Sequence, residues 1–266
     1  MKIFKSKHKL QKAILNQKNL SFVPTMGGLH KGHISLIKRS KEFNGKIIVS
    51  IFVNPKQFNK KKDFSNYPRN LKKDLSILKK LKVNFVFIPN KIDMFSFRPK
   101  NEIYLSSFSR KLCGPFRKGH FKGVLNIVNR FLEIIKPKRI FLGKKDFQQL
   151  ILINKHINKR KLNTIIISCK TIREKNGIAC STRNYLLDSK DIKIASKISK
   201  LLSKEKNKLS IKLKDLKKKV IQVGAKSVDY LEIYNIKTLK KSKKINENSK
   251  LFIAYYLKNV RLIDNF

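Results

Sequence analysis

Cysteine and acidic side chains are both scarce in this 266-residue chain, and each scarcity restricts the interpretation. The three cysteines are odd in number and widely spaced, so they fit neither a disulfide framework nor a metal-knuckle spacing. We therefore expect a reducing, cytoplasmic environment. Only 16 residues are acidic against 64 Lys and Arg, which gives a formal net charge of +48.

Long apolar runs are also missing. No stretch approaches the ~20 apolar residues that span a membrane, and residues 1–9 lack the apolar segment of a secretory signal. Hydrophobic residues make up 41% of the chain and aromatics 9%, which argues against disorder. The length suggests about two domains. These properties predict a soluble globular protein.

The basic charge has two interpretations. A basic chain commonly binds nucleic acid or an anionic membrane. Here, however, the lysines are spread along the whole chain, on positions that read as outward helix faces, and they accompany many Asn and Ile residues. We favour a compositional origin in an A/T-rich coding sequence. Nonspecific polyanion binding at low salt is then a by-product, without a nucleic-acid function.

Short apolar runs alternate with amphipathic stretches over the first two-thirds of the chain. Residues 46–53 are nearly all apolar, which is typical of a central strand in a parallel sheet. Leu71, Leu75, Leu78 and Leu81 then follow at helical spacing. This alternation predicts an α/β fold, a Rossmann-like doubly wound parallel sheet that binds ligands at the carboxyl ends of its strands.

The pattern changes after about residue 175. Two amphipathic helices are followed by two strand-like segments, 228–234 and 251–257. We predict a Rossmann-like domain over residues 1–175 and a smaller C-terminal α+β domain over 176–266. No internal repeat or low-complexity linker stands out, so this boundary rests on the change of pattern alone.

Segment 24–33 carries the strongest functional pattern. It follows an apolar stretch that reads as a strand end, and it leads into a predicted helix. Gly27 and Gly28 allow close approach of a ligand, and a helix start offers free N–H groups and a positive dipole end. His30 and His33 lie on one side of the first helical turn. This combination of glycines, helix start and histidines is suited to binding a nucleotide triphosphate. The motif alone, however, fits a glycine turn with two surface histidines equally well.

The segment resembles the ATP-binding signature of pantothenate synthetases, a branch of the nucleotidyltransferase superfamily with a His-x-Gly-His motif. Further motifs follow in the family's order almost to the C-terminus, which is much stronger support than any one motif. They lie at residues 49–58, 67–69, 119–124, 143–150, 173–174, 177, 181–184, 229–232 and 261–264.

The resemblance implies a ligase that joins pantoate to β-alanine. Pantoate carboxylate attacks the α-phosphorus of ATP to give pantoyl adenylate and pyrophosphate, and the β-alanine amine then releases pantothenate and AMP. The first step needs charge stabilisation on phosphate oxygens, and the second needs alignment in dry surroundings. Mg²⁺ is expected on the phosphates, with Asp74 as an outer contact at most and no metal site built by the protein. A homodimer is also implied.

The resemblance assigns roles residue by residue. His33 takes the position of the proton donor, with His30 beside it on the phosphates and Lys145 as a point charge. Gln57 and Gln149 match pantoate-binding positions, and Gln57 also meets β-alanine. The implied ATP-binding residues are Met26, Gly27, Gly28, Leu29, His30, Lys31, Gly32, His33, Gly143, Lys144, Lys145, Asp146, Ile172, Cys180, Ser181, Thr182 and Arg183.

Three positions depart from the family's pattern. Thr182 stands where Ser is usual and keeps the hydroxyl, while Cys180 stands where Met or Leu is common and keeps a soft apolar atom. Lys144 replaces the usual Glu and reverses a charge. It either strengthens ATP binding while slowing pyrophosphate release or points to solvent, and we expect activity to survive it. Arg117 and His120 lie in a stretch that could close over the site.

Two alternatives remain at this point. A relative of class I aminoacyl-tRNA synthetases would share the His-x-Gly-His chemistry, but the chain has no Lys-Met-Ser-Lys-Ser segment. A basic nucleic-acid-binding protein on an inactive enzyme scaffold would show tight, salt-dependent RNA binding without ATP turnover. His30, His33, Lys145 and Arg183 together speak against the second alternative.

Overall fold

The computed structural model describes residues 1–208 and 211–266. In these residues nine strands and ten α-helices alternate along most of the chain. The elements are β1 (Lys2–Phe4), α1 (Lys7–Ile14), β2 (Ser21–Thr25), α2 (Lys31–Ser40), β3 (Ile47–Ile51), α3 (Lys61–Ser65), α4 (Leu71–Lys80), β4 (Phe85–Phe87), α5 (Lys91–Phe95), α6 (Cys113–Phe116), α7 (His120–Ile135), β5 (Arg139–Gly143), α8 (Phe147–Lys159), β6 (Ile165–Cys169), α9 (Ser189–Glu205), α10 (Leu213–Gln222), β7 (Ser227–Asn235), β8 (Ser249–Leu257) and β9 (Val260–Asn265). Short 3-10 turns cover Pro55–Gln57, Ser107–Arg110, Lys144–Asp146 and Thr182–Leu186.

The first six strands form one parallel sheet in the order β1-β4-β3-β2-β5-β6. From β2 the chain builds outward through β3 and β4, and it then returns to the other side of β2 with β5 and β6. The strand order therefore reverses between β2 and β5, and ligands bind at such a point in doubly wound sheets. The predicted α/β fold with a doubly wound parallel sheet is confirmed.

The core follows from the apolar pattern. All five residues of β3 are buried, as expected of a strand covered on both faces. Helix α7 packs its apolar side on the sheet and is buried along most of its length. Lysines on α4 and α10 are exposed, as their helical spacing predicted: Lys72, Lys73, Lys79, Lys80, Lys214, Lys217, Lys218 and Lys219. Among the described residues, no helix has the length and apolarity that crossing a membrane requires.

Strands β7, β8 and β9 form a separate antiparallel sheet in that order. Together with α9 and α10, this sheet makes up a smaller α+β unit. Tyr230, Tyr234 and Phe252 of this sheet belong to the same hydrophobic cluster as residues of α7 and α8. The small sheet thus packs against the helices that cover the large sheet, with the rings of Phe147 in α8 and Phe252 in β8 5.6 Å apart. The division between residues 175 and 176 stays a prediction. Strand β9 is not among the predicted strands, since residues 261–264 are identified from the sequence only as a family motif.

A buried histidine on α8, His156, makes hydrogen bonds to the segment around Tyr104 and to Asn129 of α7. His156 is 0% exposed; its Nδ1 accepts from the Tyr104 backbone N at 3.1 Å, and its Nε2 donates to Asn129 Oδ1 at 3.0 Å. This network assigns the neutral ring with its proton on Nε2. Burial, and then the charge of Arg160, lower the pKa of His156 to about 4.

The free energy of unfolding should therefore fall with acidification. The unfolded ring takes up a proton near pH 6.5 while the folded ring resists protonation down to about pH 4, so the stabilisation present above pH 6.5 is lost across this window. One such histidine accounts for about 2 kcal/mol between pH 6.5 and 5. Urea unfolding between pH 5 and 7 should show a shallower pH dependence in His156→Gln. The exposed His8→Gln should match the parent chain, and equal slopes for both variants would contradict this account.

Candidate active site

One pocket opens where the carboxyl ends of β2, β3 and β5 meet, at the switch point of the sheet. Segments 24–33, 54–57 and 143–149 lie at the carboxyl ends of these strands, so the pocket lies where the sequence predicts that ligands bind. The predicted site residues that line the pocket are Met26, His30, Gly32, His33, Gln57, Gly143, Lys145, Asp146, Gln149, Ile172, Cys180, Ser181, Thr182 and Arg183. Their roles stay predictions. Gly27, Gly28, Leu29, Lys31 and Lys144 are not part of this lining.

The glycine loop after β2 is held from behind by a carboxylate. Asp74 is 2% exposed, and its two oxygens accept from Gly28 N at 2.9 Å and Leu29 N at 2.8 Å. Gly28 has φ +61, and a Cβ there would lie 2.4 Å from Thr182 Cγ2. Glycine is required at this position by both conformation and space. These two amides are thus engaged by Asp74 and shape the loop, which explains why they do not face the pocket.

His30 and His33 stack at the start of α2. Their ring centroids are 4.1 Å apart, and His30 caps the helix by accepting from Gly32 N through Nδ1 at 3.1 Å. The proton of the neutral His30 ring therefore sits on Nε2, where it can be donated. His33 Nδ1 is buried and contacts no hydrogen-bond partner among the described residues. The pair can direct N–H groups at a ligand in the pocket.

Burial strongly perturbs both rings. It is the main reason that the pKa of His30 is lowered to about 4 and that of His33 to about 3. Positive charge on Lys145 adds to the effect on His30, and protonation of His30 would further disfavour a proton on His33. Both imidazoles are therefore neutral at pH 7 in this structure. They differ from an ordinary histidine, whose pKa lies near neutrality.

Lys145 and Asp146 face the histidines from the turn after β5. Lys145 Nζ lies 3.4 Å from Asp146 Oδ1, and the lysine side chain is mostly buried. Burial would raise the pKa of Asp146, but the charges of Lys145 and Arg183 outweigh it and hold that pKa below its usual value. The turn therefore presents a cation to the pocket beside an ionised carboxylate. Lys145 is well placed to meet a negatively charged ligand.

Lys144 is exposed and lies outside the pocket lining. An exposed charge is screened by water and salt, so it contributes little to binding or turnover. We expect Lys144→Glu to change the rate of AMP formation by less than about threefold, with Lys144→Ala as the uncharged control. A hundredfold increase for Lys144→Glu, worth about 2.7 kcal/mol, would show instead that the native lysine impairs the site.

Gln57 lies in the turn after β3 and connects to two basic side chains. Its backbone O accepts from His120 Nδ1 at 2.8 Å and from Arg117 Nη2 at 3.3 Å. Arg117 Nη1 also lies 3.0 Å from His120 Nε2, which must accept because Nδ1 donates. Burial lowers the pKa of His120 to about 3 and that of Arg117 to about 10, so His120 is neutral and Arg117 charged. Arg117 and His120 both line the pocket, and closure of their segment over the site stays a prediction.

Segment 180–183 closes the other side of the pocket. Arg183 Nη2 pairs with Asp63 Oδ2 of α3 at 3.1 Å, and Thr182 Oγ1 donates to Gly28 O at 3.1 Å. The Thr182 hydroxyl proton is thus used by the glycine loop. Cys180 Sγ donates to Glu174 Oε1 at 3.1 Å, and burial raises the pKa of this thiol to about 11. Cys180 is therefore a neutral thiol at pH 7, in keeping with its treatment as a soft apolar atom.

The sequence did not predict the ion-pair and hydrogen-bond partners of the candidate site residues. Lys31 points outward and pairs with Glu174 at 2.6 Å. Asp63 precedes the 67–69 motif, and Asn265 follows the 261–264 motif by one residue. Their position next to a motif is the one sequence feature that could have identified them as partners of site residues. Asp74, considered only as an outer metal contact, holds the glycine loop. Among the described residues no cluster of three His, Cys, Asp or Glu side chains could hold a metal ion.

Comparisons with known proteins agree with this geometry. The family model described as pantoate-beta-alanine ligase matches residues 2–266. Pantothenate synthetase of Francisella tularensis subsp. novicida is 40% identical over 98% of this chain and 94% of its own length.

Two crystal structures show the same architecture. Pantoate-beta-alanine ligase from Francisella tularensis, complexed with beta-gamma ATP and beta-alanine, is 38% identical, with a TM-score of 0.87 over 100% of this chain and 97% of that one. Pantothenate synthetase from Thermus thermophilus is 28% identical, with a TM-score of 0.92 over 100% and 99% of the two chains. This chain therefore belongs to the pantoate-beta-alanine ligase family.

Proposed function

We propose that the pocket at the switch point performs both half-reactions of its family, ATP-dependent activation of pantoate and amide formation with β-alanine. The observation that carries this proposal is the convergence of His30, His33, Lys145 and Arg183 on one pocket that also contains Gln149. Cations and N–H donors suit a triphosphate, and a neutral amide suits a hydroxy acid.

Adenylation transfers the adenylyl group of ATP, through its α-phosphorus, to pantoate and releases pyrophosphate. Lys145 and Arg183 stabilise the negative charge that develops on the phosphate oxygens, and His30 Nε2–H donates to the same region. Arg183 is paired with Asp63 in this structure. A phosphate would replace that carboxylate as the partner of the guanidinium, so the pair keeps Arg183 ordered before ATP arrives.

Magnesium would enter with the nucleotide, because the phosphate oxygens supply the ligands that it prefers. The carboxylates of Asp63 and Asp146 line the pocket and suit an outer contact to such an ion. When bound, Mg²⁺ neutralises phosphate charge. The chain's own residues then orient the triphosphate and hold pantoate between Gln57 and Gln149.

The amide-forming step needs a place for the second substrate, which carries a carboxylate as well as the attacking amine. Arg117 lines the pocket, and its hydrogen bonds go to His120 and to Gln57 O, with no ion pair to a carboxylate in the described part of the chain. A half-buried guanidinium without a carboxylate partner favours an anionic ligand. We assign the Arg117 guanidinium as the binding group for the β-alanine carboxylate. A carboxylate bound there would place the β-alanine amine near the acyl carbon of the pantoyl group, which Gln57 holds.

Two properties of the molecule as a whole belong to the same proposal. We place the enzyme in the cytoplasm, where three unpaired cysteines are stable. We also propose a homodimer. Ile165 on β6, one of the two edge strands of the large sheet, is 51% exposed and offers an apolar side chain for self-association. Light scattering after gel filtration tests the dimer, and a monomer at micromolar concentration would refute it.

The test of function is AMP formation by the purified chain with ATP, Mg²⁺, pantoate and β-alanine, omitting each component in turn. We expect pantoate-dependent exchange of pyrophosphate into ATP without β-alanine, and net AMP release only when both carboxylic acids are present. Omission of Mg²⁺ should abolish both signals. No exchange and no AMP from a folded protein would refute the proposal, and salt-sensitive RNA binding in the same sample would then favour the basic-scaffold alternative.

A further inference from the structure

The last strand of the chain ends against the turn that carries Lys145. Asn265 is the final residue of β9 and is only 4% exposed. Its Nδ2 donates to two successive backbone carbonyls, Lys144 O at 3.0 Å and Lys145 O at 2.8 Å. These contacts join the C-terminal sheet directly to the turn between β5 and α8.

The chemistry of the amide fixes its orientation. A carboxamide nitrogen carries two hydrogens, and each carbonyl uses one of them. The opposite orientation would place Asn265 Oδ1 against two carbonyl oxygens, which repel it. An aspartate at this position would have the same shape but no donor. Asparagine is therefore the residue that can hold both carbonyls at once.

Asn265 is itself held rigidly. The preceding carboxylate of Asp264 receives Arg173 Nη1 at 2.6 Å and Nη2 at 3.0 Å, a bidentate pair. The same Arg173 donates to Asn265 O at 3.1 Å, and Asp264 Oδ1 accepts from Asn265 N at 2.8 Å. The end of β9 is thus fixed on both sides. An anchored amide can impose a conformation on the turn that it contacts.

We propose that Asn265 is a positioning residue for the adenylation step, holding the Lys144–Asp146 turn so that Lys145 faces the phosphates. The inference rests on the proposed function, because it concerns how that site is organised. Asn265 acts through Lys145 and has no part in the amide-forming step. Through Asn265, the C-terminal sheet would set the geometry of one wall of the nucleotide site.

The test separates the two half-reactions in Asn265→Asp. Pantoate-dependent pyrophosphate exchange should fall roughly 10–100-fold, because a displacement of about 1 Å at a reacting group has this effect. The reaction of added pantoyl adenylate with β-alanine should stay within about threefold of the parent chain. Asn129→Asp is the matched control. Asn129 is also buried and donates to a backbone carbonyl, that of Asn101, and it lies outside the pocket lining. Its Oδ1 accepts from His156 Nε2, a contact that an aspartate oxygen can keep, so the change again removes the donor alone.

A double-mutant cycle tests the route through Lys145. In a Lys145→Ala background, single-turnover AMP formation should be nearly insensitive to Asn265→Asp, because the group being positioned is gone. Asn265→Ser, which keeps one donor, covers the case in which the aspartate variant fails to fold. Unchanged exchange in a folded variant, equal losses in both half-reactions, or fully additive effects would overturn the inference. A parent chain without pantoate-dependent exchange would refute the proposed function itself, and this inference with it.

Discussion

Replacing His33 with alanine is expected to slow pantoyl adenylate formation by about 10²–10⁴-fold, or roughly 3–5 kcal/mol of barrier. His33 is half-buried against His30, with its Nδ1 buried, at the edge of the nucleotide pocket. Alanine removes the ring nitrogens and leaves no other donor at that position. Single-turnover AMP formation with excess enzyme measures the loss directly. The reaction of added pantoyl adenylate with β-alanine should be far less affected, which separates a catalytic loss from a folding defect.

The protonation state of His33 decides how this residue acts. Its pKa of about 3 makes the ring neutral at physiological pH, so in this structure it offers an N–H hydrogen bond and carries no charge. We therefore expect kcat/KM for ATP to stay flat between pH 7 and 8.5, since this parameter reports the free enzyme. A descending limb near pH 7 that disappears in His33→Ala would show instead that an imidazolium donates a proton.

His33→Asn distinguishes the same two possibilities without a change of pH. The asparagine amide can donate a hydrogen bond but cannot transfer a proton at neutral pH. If hydrogen-bond donation by a neutral ring is the main contribution, Asn should recover part of the activity lost in the alanine variant. Equal activity in His33→Asn and His33→Ala would contradict donation by a neutral ring and favour proton transfer.

Local patterns were sufficient to predict most of the large sheet. Phe22 and Val23 in β2, and the apolar run that became β3, are buried strands because their side chains are apolar on both faces. The glycine–histidine motif was equally visible, since it depends on residues that are neighbours in sequence. The position of the pocket then followed from the parallel sheet, whose strand ends lie along one edge.

Contacts between distant residues could not be predicted in the same way. Asp74 holds the backbone of Leu29 from 45 positions away, and Asn265 holds Lys145 from 120 positions away. The lowered pKa of His33 depends on burial that exists only after folding. Short strands such as β1, with three residues, carry too little pattern to identify. Sequence therefore indicated candidate ligand-binding residues, whose roles stay predictions, and only the fold shows what positions them.

Gly123 makes a contact of this kind with a distant turn, and its substitution is the second change with a large expected effect on activity. It lies on α7 where the helix touches the Pro55–Gln57 turn, and Asn54 Nδ2 donates to its carbonyl at 3.0 Å. A Cβ at Gly123 would sit 2.2 Å from Lys56 O, 2.7 Å from Lys56 C and 3.0 Å from Gln57 N. All three are backbone atoms, so no rotamer change relieves the contact. The backbone of the turn or of the helix has to move.

We expect Gly123→Ala to lower kcat/KM for pantoate by roughly 10²-fold, because Gln57 is carried by the displaced turn and a shift of about 1 Å is enough. Overpacking should cost about 1–3 kcal/mol of unfolding free energy, partly offset by the higher helix propensity of alanine, about 1 kcal/mol. Steady-state kinetics with pantoate as the varied substrate measures the first effect, and urea unfolding the second. Lys122→Ala, an exposed neighbour on the same helix, should change neither.

The kinetic pattern distinguishes displacement of Gln57 from general loosening of the fold. The amides of Gly28 and Leu29 are held by Asp74 on α4, an element separate from the Pro55–Gln57 turn. Affinity for ATP should therefore persist in Gly123→Ala while pantoate binding weakens. Equal losses for ATP and pantoate would indicate that the whole pocket has relaxed. Unchanged kinetics for pantoate would contradict the account in which the displaced turn carries Gln57 away from this substrate.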